Sequence, residues 1–536
     1  MHMTCSFSDI PRSRYHKRIP PRIKIRVLLR RGMEEAKAIQ ICGTGSGVGK
    51  SVISCAFCRI FFEDGYSVAP FKSQNMALNS FVTEDGGEIG RAQAIQALAC
   101  KIKPVADINP ILIKPTSNTT AQIILQGKPV RNMSVYEYRD YKKLVFDKVK
   151  ESFKRLKSKY EIIVIEGAGS PVEINLRSHD LVNMKMAKFA KAPVILVGDI
   201  DKGGVFAWLI GTLQLMTNKE RKMIRGLIIN KFRGDKRLLR PGVSFLEKYT
   251  GIKVLGVIPY FHDIKIPEED SLPMESQKKT FSSKRRIKID VIYLPHISNF
   301  TDFDALEQEP DVSLRYIRKC QELDNPDVII IPGTKNTIED LDYLKKCGLA
   351  KKVVSIFESC PSVLLVGICG GYQMLGEKIY DTKNVESKKK ETPGLGILPI
   401  VTQIHSKKFL SQVKARHLSS GAEVMGYEIH HGRTKVNNNL KLLFEVLEFK
   451  DKKIKRYDGA ITSDKRCWGT YIHGVFDSDR FRRHFLNNLR RKKGWQALPI
   501  VRNYRIDTEI DKLANLVRRN INLNLLYKIL FAREEK

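Results

Sequence analysis

The sequence contains no apolar run long enough to cross a lipid bilayer. A membrane-spanning helix needs about 20 consecutive, mostly apolar residues. No stretch of even about 18 occurs among the 536 residues. This absence excludes a helical membrane-spanning protein, and we expect no membrane partner.

Cysteines at the spacing of a metal-binding pair are also rare in the sequence. Ten cysteines are scattered along the chain, and only Cys55 and Cys58 have the CxxC spacing. A zinc site of this type needs a second pair, which the sequence does not offer. The simplest interpretation is a protein with reduced thiols, and we therefore expect a cytoplasmic location.

Acidic residues are outnumbered. The chain has 58 Asp and Glu against 93 Lys and Arg, a formal net charge of +35. Such an excess can indicate a polyanionic partner. The lysines are spread over the whole chain without a DNA- or RNA-binding signature, so we expect no nucleic-acid partner. A lysine-rich surface would also suit an acidic substrate.

Buried strands alternate with helices along most of the chain, which predicts parallel α/β sheets. A chain of 536 residues should hold two or more domains. We predict two, separated by a linker and followed by a basic, mostly helical tail. The predicted boundaries are 33–261 and 287–490 for the domains, 262–286 for the linker and 491–536 for the tail.

The first 32 residues differ from the rest of the chain. They are basic, contain Pro11, Pro20 and Pro21, and show no helical periodicity. A basic targeting peptide would fit this composition. The simpler expectation is that Met33 is the true translation start. Residues 1–32 would then be a disordered extension, or the result of a start assigned too far upstream.

The stretch Val363-Leu-Leu-Val-Gly-Ile-Cys-Gly-Gly371 predicts a strand and a sharp turn at Cys369. Glycines on both sides give the layout of a nucleophile elbow, with sulfur in place of the serine oxygen. We expect Tyr372–Lys378 to begin a helix, whose N-terminus favours a thiolate and offers N–H groups to an oxyanion. A buried structural cysteine is the alternative, but it leaves the flanking glycines unexplained.

A glycine-rich segment follows the first predicted strand. Its backbone N–H groups can cradle phosphates, its lysine can reach the outer phosphates, and its serine can hold Mg²⁺. Thr44 stands where the standard spacing has glycine, as in the dethiobiotin-synthetase-like branch of P-loop enzymes. We therefore predict an ATP site. Its loop residues are Gly43, Thr44, Gly45, Gly47, Gly49, Lys50 and Ser51.

Three polar residues follow other predicted strands of the first domain, where ligands bind in doubly wound sheets. Lys72 is assigned to the ATP site, and Asn230 to the adenine edge. Glu166 ends a buried strand and is assigned to Mg²⁺ together with Ser51. By contrast, we expect 79–91 to be a loop outside the core, because glycine and acidic residues are frequent there.

Three strand ends of the second domain carry polar or glycine residues that suit catalysis. Gly333 follows a predicted strand after a proline, so its N–H is a candidate oxyanion donor. Two more predicted strands end in histidine. His430 and His431 end one of these strands, and His473 ends the other. A structural histidine is an equally good interpretation of His430 and His431.

Taken together, these motifs resemble those of the cobyric acid synthase family of glutamine-dependent amidotransferases. The resemblance extends from Met33 to about Leu489. The related cobyrinic acid a,c-diamide synthases carry a Gly-Pro-Asp-Tyr-type segment where this chain has Ser73-Gln-Asn-Met76. The segments that carry the resemblance are Phe71-Lys-Ser-Gln-Asn-Met76, Asn79-Ser-Phe-Val-Thr83, Asp85-Gly-Gly-Glu-Ile-Gly-Arg-Ala-Gln93, Ile297-Ser-Asn-Phe-Thr-Asp302, Pro332-Gly-Thr-Lys-Asn-Thr337, Gly367-Ile-Cys-Gly-Gly371 and Gly469-Thr-Tyr-Ile-His-Gly474.

The resemblance implies two doubly wound α/β domains: an N-terminal P-loop domain of the dethiobiotin-synthetase type and a C-terminal class I glutamine amidotransferase domain. It implies that Cys369 attacks glutamine, that His473 transfers the proton and that Gly333 and Gly370 hold the oxyanion. The ammonia would amidate the b, d, e and g carboxylates of (adenosyl)cobyrinic acid a,c-diamide through acyl phosphates made with ATP and Mg²⁺. The product would be (adenosyl)cobyric acid.

Several points stay open in the sequence. Many class I glutaminases follow the histidine with Pro-Glu, whereas Gly474 and Val475 stand here. His430, His431 or a backbone group could therefore orient His473. The same architecture could amidate a cell-wall precursor, and the basic charge would suit a non-enzymatic P-loop scaffold. The oligomeric state and the path of ammonia are also undetermined.

Overall fold

Two central β-sheets organise the chain. The structure is a computed structural model that describes residues 35–116, 119–267, 286–449, 452–500 and 505–532, with only the backbone at 142–144. Lys37–Lys536 form one compact unit. We call 37–267 the first half and 286–500 the second half.

The strands of the first half form a large parallel sheet and two small sheets. They are β1 (Lys37–Gly43), β2 (Val68–Phe71), β3 (Gln74–Met76), β4 (Ser80–Val82), β5 (Glu88–Gly90), β6 (Ile111–Pro115), β7 (Thr120–Leu125), β8 (Lys128–Ser134), β9 (Ile162–Glu166), β10 (Val194–Asp199), β11 (Ile224–Phe232) and β12 (Val254–Pro259).

The large sheet has the order β12-β11-β10-β1-β9-β2, with every pair parallel. Strands such as β9 are aliphatic and buried along their length, as in sheets covered on both faces. The carboxyl ends of β1 and β9 lie side by side, since Ile41 pairs with Glu166. That edge is where ligands bind in this class of sheet.

Seven helices are described in the first half, and they alternate with the strands. They are α1 (Lys50–Glu63), α2 (Arg91–Ala99), α3 (Val135–Lys157), α4 (Met184–Ala190), α5 (Val205–Leu215), α6 (Asn218–Arg221) and α7 (Lys236–Thr250).

The second half contains one mixed sheet. Its strands are β13 (Ile287–Ile292), β14 (Val312–Ile317), β15 (Val328–Ile331), β16 (Leu364–Ile368), β17 (Lys378–Tyr380), β18 (Glu391–Pro393), β19 (Ile400–His417), β20 (Glu423–Val436), β21 (Lys441–Phe449), β22 (Lys452–Ile461) and β23 (Cys467–Thr470). The helices that follow in chain order are α8 (Asp304–Glu307), α9 (Thr337–Lys346), α10 (Leu349–Ser359), α11 (Gly370–Met374) and α12 (Asp479–Lys492).

This mixed sheet runs in the order β14-β13-β15-β16-β23-β22-β21-β19-β17-β18, and β20 pairs with β19. The pairs from β14 to β23 are parallel. The long β19–β20 hairpin and strands β21 and β22 extend the sheet with antiparallel pairs. The predicted α/β class is confirmed in both halves, and the antiparallel extension is a feature the sequence patterns did not predict.

Two helices lie in the part of the chain predicted as a tail, α13 (Ile506–Asn520) and α14 (Leu523–Phe531). They pack on the first half. Arg59 pairs with Asp507 at 2.5 Å, and Arg518 pairs with Asp64 at 2.9 Å. The end of the chain therefore covers α1, the helix that starts at the glycine-rich loop.

Several predictions fall outside what the structure describes. The extension 1–32 is not among the described residues, and neither is most of the linker 262–286. The domain boundaries stay predictions, as does the cytoplasmic location. Within the described ranges, no helix is both long and apolar enough to span a membrane. The nine cysteines found there are free thiols.

The prediction that 79–91 lie outside the core is wrong. β4 and β5 form an antiparallel hairpin in this segment, and Ser80 and Glu88 are at most 1% exposed. The acidic residue is tolerated because Glu88 meets two lysines, one of them from the second half. The contact is between residues distant in sequence, so composition alone could not reveal it.

Candidate active sites

The glycine-rich loop joins β1 to α1 in a conformation that requires glycine at two positions. Gly47 and Gly49 have φ angles of 71° and 102°, in the left-handed region that favours glycine. A Cβ on Gly49 would also lie 2.2 Å from Asn230 Nδ2. In such a tight loop, successive N–H groups can face a phosphate.

Lys50 begins α1 and is only 7% exposed. Its Nζ donates to the carbonyl oxygens of Gly45 at 2.7 Å and Gly169 at 3.1 Å. The ammonium group thus lies over the loop, between the segments that follow β1 and β9. A cation there is placed to meet the outer phosphates of a nucleotide held by the loop.

Glu166 ends β9 and is completely buried. Its Oε1 accepts hydrogen bonds from Ser51 Oγ at 2.7 Å and Lys72 Nζ at 2.8 Å, and its Oε2 accepts from Gln96 Nε2 at 2.5 Å. The structure brings together three residues predicted from the sequence, Ser51, Lys72 and Glu166. It adds Gln96 of α2, which no local sequence pattern indicates.

The donor set around Glu166 fits the predicted Mg²⁺ ion. Mg²⁺ prefers oxygen ligands and usually takes one or two from the protein, with waters and phosphate oxygens filling the rest. The Ser51 hydroxyl and the Glu166 carboxylate are such a pair. Among the residues that the structure describes, no group of three or more His, Cys, Asp or Glu forms a fuller metal site.

Asn230 lies against the loop at the end of β11. Its Nδ2 donates to the carbonyl of Val48 at 2.9 Å. Its Oδ1 is buried and has no hydrogen-bond partner among the residues that the structure describes. An orphaned buried acceptor is costly, and the amino group of an adenine would satisfy it. The unpaired oxygen is a physical reason to expect an adenine contact at Asn230. The contact itself stays a prediction.

Cys369 stands between β16 and α11 in a strained conformation, with φ of 50° and ψ of −106°. The turn is tight: a Cβ on Gly371 would lie 1.9 Å from the Ile331 carbonyl oxygen. The thiol is 5% exposed. The strand–elbow–helix layout is present, but the helix ends at Met374, so the expectation that it would continue to Lys378 is wrong. Strand β17 begins there instead.

His473 follows β23 and is oriented by a carboxylate from a different loop. Its Nδ1–H donates to Asp302 Oδ2 at 2.6 Å, and the Gly474 N–H donates to Asp302 Oδ1 at 3.0 Å. The Tyr427 ring stacks on the imidazole with 5.2 Å between centroids. These contacts fix the imidazole beside Cys369, whose charge acts on the same ring and whose Sγ lies 3.7 Å from the Ile429 carbonyl oxygen. The third member that the sequence left open is Asp302.

The electrostatics of this site favour a protonated imidazole. Burial lowers the pKa of His473, but the negative charges of Asp302 and Cys369 outweigh burial and raise it to about 10. A histidine with a raised pKa keeps its proton through neutral pH. The imidazole can therefore act first as an acid.

His430 and His431 do not orient His473. His430 Nδ1 lies 2.7 Å from the Gly432 carbonyl oxygen, and its ring stacks on Tyr471. His431 Nδ1 lies 2.9 Å from the His405 carbonyl oxygen. Burial lowers the pKa of each histidine to about 3, so both are neutral. Both lie inside β20 rather than at a strand end, and both line the cavity next to Cys369.

The two predicted oxyanion glycines border the reacting groups. A Cβ on Gly333 would lie 3.0 Å from His473 Cε1 and 3.7 Å from Cys369 Cβ. A Cβ on Gly370 would lie 2.6 Å from Thr334 Cγ2. A side chain at Gly333 would crowd His473 and one at Gly370 would clash with Thr334, so both positions favour glycine. The donor role of their N–H groups stays a prediction.

Cys369 opens onto a cavity whose wall comes from both halves. Lys114 of β6 contributes from the first half, and Lys335, Glu386 and Lys408 contribute from the second. The cavity next to the thiol is therefore lined by both halves.

A buried ion cluster lies on this wall. Glu88 accepts hydrogen bonds from Lys114 Nζ at 3.0 Å and from Lys408 Nζ at 2.6 Å. Burial alone would raise the pKa of Glu88, but the two lysines overcome this and lower it to about 2. Burial lowers the pKa of Lys408 to about 7 despite Glu88, because one carboxylate neutralises only one of two ammonium groups.

The same hairpin of the first half contacts the segment that carries Asp302. Ser80 N donates to Asn299 Oδ1 at 3.0 Å, and Phe300 N donates to Asn79 Oδ1 at 3.3 Å. Asn299 in turn lies 3.4 Å from His473 Nε2. The first half therefore supports the histidine site through the backbone next to Asp302.

Two family models match the chain, and together they cover most of it. The CobQ/CobB/MinD/ParA nucleotide binding domain matches residues 39–274, and the CobB/CobQ-like glutamine amidotransferase domain matches residues 288–481. The predicted pairing of a P-loop domain with an amidotransferase domain is confirmed.

Curated proteins of three bacteria are similar over nearly the whole chain. A cobyric acid synthase of Clostridium botulinum (strain Loch Maree / Type A3) is 49% identical, covering 92% of this chain and 99% of that protein. A cobyric acid synthase of Syntrophobacter fumaroxidans is 45% identical with the same coverage of each. The adenosylcobalamin biosynthesis bifunctional protein CobDQ of Leptospira interrogans is 47% identical over 92% of this chain, which spans 57% of that longer relative.

Replacing Glu88 with Gln should destabilise the folded protein by about 3–5 kcal/mol, because it leaves buried Lys114 and Lys408 without a counter-charge. The Glu88 contribution is present above its ordinary pKa of 4.5 and is lost as pH falls through its folded pKa of about 2. The difference between wild type and variant should therefore shrink below about pH 4. Chemical denaturation at several pH values measures it.

Glu84→Gln is the matched control for this experiment. Glu84 lies in the same hairpin and pairs with Lys103 at 2.9 Å, but both side chains are at least 40% exposed. Loss of an exposed pair should cost less than about 1 kcal/mol. Equal effects of the two substitutions would show that the Glu88 cluster is not a buried ion network.

Replacing Asp302 with Asn should reduce glutamine hydrolysis by about 10²–10⁴-fold, since the carboxylate orients His473 and stabilises its charged form. It should also lower the pH at which the imidazole loses its proton, from about 10 in the wild type. Initial rates of glutamate formation and an NMR titration of His473 measure the two effects. Asp324→Asn, at an exposed position, is the control. A hydrolysis rate within a few-fold of wild type would contradict the role of Asp302.

Proposed function

The chain belongs to the cobyric acid synthase family, and on that basis we propose that it converts (adenosyl)cobyrinic acid a,c-diamide to (adenosyl)cobyric acid. Members of this family are ligases that form C–N bonds with a glutamine amidotransferase domain. The proposed reaction amidates the b, d, e and g carboxylates with nitrogen from glutamine and energy from ATP. Of the alternatives left open by the sequence, the non-enzymatic scaffold is wrong, and the family gives no support to a cell-wall substrate.

One observation carries the proposal: a Cys369–His473–Asp302 constellation opens onto a cavity that both halves enclose. A nucleophile, a base and an orienting carboxylate in this arrangement perform acyl transfer. A wall shared with a nucleotide-binding half suits an enzyme that uses the released ammonia elsewhere in the same chain.

In the second half, the Cys369 thiolate attacks the carboxamide carbon of glutamine, and a C–S bond forms. The N–H groups of Gly333 and Gly370 hold the oxyanion. His473 Nε2 then gives its proton to the departing nitrogen as the C–N bond breaks, and ammonia leaves. The neutral imidazole next takes a proton from water, which attacks the thioester and releases glutamate.

In the first half, a substrate carboxylate attacks the γ-phosphorus of ATP to give an acyl phosphate and ADP. The activation is needed because a free carboxylate is a poor electrophile at neutral pH. The loop N–H groups and Lys50 stabilise the transferring charge. Ser51 and Glu166 would hold Mg²⁺, which supplies further neutralisation when bound. Ammonia then displaces phosphate and forms the amide.

The charge of the chain suits a polycarboxylate substrate. A net charge of +35 attracts anions over a range set by ionic strength. Each amidation removes one negative charge from the corrinoid, so this attraction should weaken from step to step.

Cys369→Ala should abolish amidation with glutamine but leave amidation with high concentrations of ammonium chloride, because only the nitrogen source depends on the thiol. The reaction contains ATP, Mg²⁺ and cobyrinic acid a,c-diamide, and the product masses are followed with each nitrogen source.

Lys50→Ala is the companion variant. It should stop amidation from either source, since it removes a charge at the transferring phosphate. If folded Cys369→Ala protein is inactive with ammonia, the assignment of nitrogen release to the second half is wrong. If Lys50→Ala protein has normal turnover, the assignment of phosphate transfer to the first half is wrong.

A further inference from the structure

The cavity wall next to Cys369 carries a buried lysine whose charge has no counterpart. Lys335 is 7% exposed, and within the described residues its ammonium group makes no hydrogen bond and no ion pair. Its position is nevertheless fixed: its backbone N–H donates to the His296 carbonyl at 3.0 Å. Burial lowers the pKa of Lys335, as expected for a cation removed from water.

A carboxylate lies on the same wall. Glu386 lines the cavity and is held by the Thr337 N–H, which donates to its Oε2 at 3.2 Å. Its loop is fixed by the buried Asp381 carboxylate, which accepts from the N–H groups of Val385, Glu386 and Ser387 at 2.7 to 3.0 Å. Burial raises the pKa of Glu386, although the nearby Lys335 acts in the opposite direction.

Lys335 and Glu386 influence each other electrostatically but do not form an ion pair. A buried cation and a half-buried anion held apart are each costly to the fold. That cost is offset when a ligand supplies the missing charges. The required ligand has an anionic group for Lys335, a cationic group for Glu386 and a carboxamide that reaches Cys369.

We infer that Lys335 binds the α-carboxylate of glutamine and that Glu386 binds its α-ammonium group. Both residues would then select a zwitterionic α-amino acid over other primary amides in the cell. The inference rests on the proposed function, since it names how the same thiol site recognises its nitrogen donor. Lys335 and Glu386 are binding residues that do not touch the reacting carbon.

Two truncated amides separate the two contacts. 4-Aminobutanamide is glutamine without its α-carboxylate, and glutaramate is glutamine without its α-amino group. Lys335→Met should lower kcat/KM for glutamine by about 10- to 100-fold, mainly through KM, because one charged hydrogen bond is lost. It should leave hydrolysis of 4-aminobutanamide unchanged. Glu386→Gln should reduce glutamine hydrolysis similarly and leave glutaramate unchanged.

Stability provides an independent readout. Removing an unpaired buried cation should not destabilise the protein, so the Tm of Lys335→Met should equal or exceed that of wild type. Lys335→Arg, which keeps the charge, should recover part of the affinity for glutamine. A lower Tm together with an equal loss on all three amides would mean a structural role and would overturn the inference.

The experiment separates this inference from the proposed function. Alkylation of Cys369 by iodoacetamide and amidation with ammonium chloride need neither contact, and both should be normal in the two variants. If wild type and Lys335→Met hydrolyse glutamine equally well, the inference about glutamine recognition is wrong, and the proposed function is unaffected. If wild type hydrolyses no amide and amidates no corrinoid, the proposed function fails, and the inference that rests on it fails as well.

Discussion

The contact between the two halves beside the Cys369 cavity depends on one buried carboxylate, Glu88, which binds a lysine from each half of the chain. Such a cluster is stable only if its members stay in place, since separating them would leave charges buried and unpaired. The hairpin that carries Glu88 also holds the backbone at Asn299 and Phe300, close to Asp302. The first half therefore contacts the segment that carries Asp302, the carboxylate that holds His473.

The buried ionisable side chains around Cys369 differ in charge, because only some of them have a partner of opposite charge. His473 and Asp302 are buried together, so that the carboxylate stabilises the charge of the imidazole, which keeps its proton. His430 and His431 are buried without a carboxylate and are neutral. Lys335 is buried and Glu386 is half-buried, and the two lie near each other without pairing. The first arrangement suits proton transfer, and the last suits the binding of a zwitterion, because the ligand provides the charges that the protein lacks.

The local parts of both sites could be predicted from the sequence. The strand before Cys369, the glycines around it and the Gly-Lys-Ser of the phosphate loop are contiguous, and their spacing alone specifies the turns. Asp302 was missed as the partner of His473 because 171 residues separate them. Glu88 and Lys408 are 320 residues apart, so local composition predicts a loop outside the core where the structure has a buried hairpin. Contacts of this kind become visible only once two distant segments are brought together by the fold.

We propose that ammonia formed at Cys369 reaches the first half through the space that both halves enclose. The most direct measurement supplies amide-¹⁵N glutamine together with an excess of unlabelled ammonium chloride and determines the isotope content of the corrinoid amides. The account predicts that the new amides carry mainly ¹⁵N, because the ammonia does not mix with the solvent before it reacts. Amides whose isotope content matches that of the bulk ammonium would contradict it.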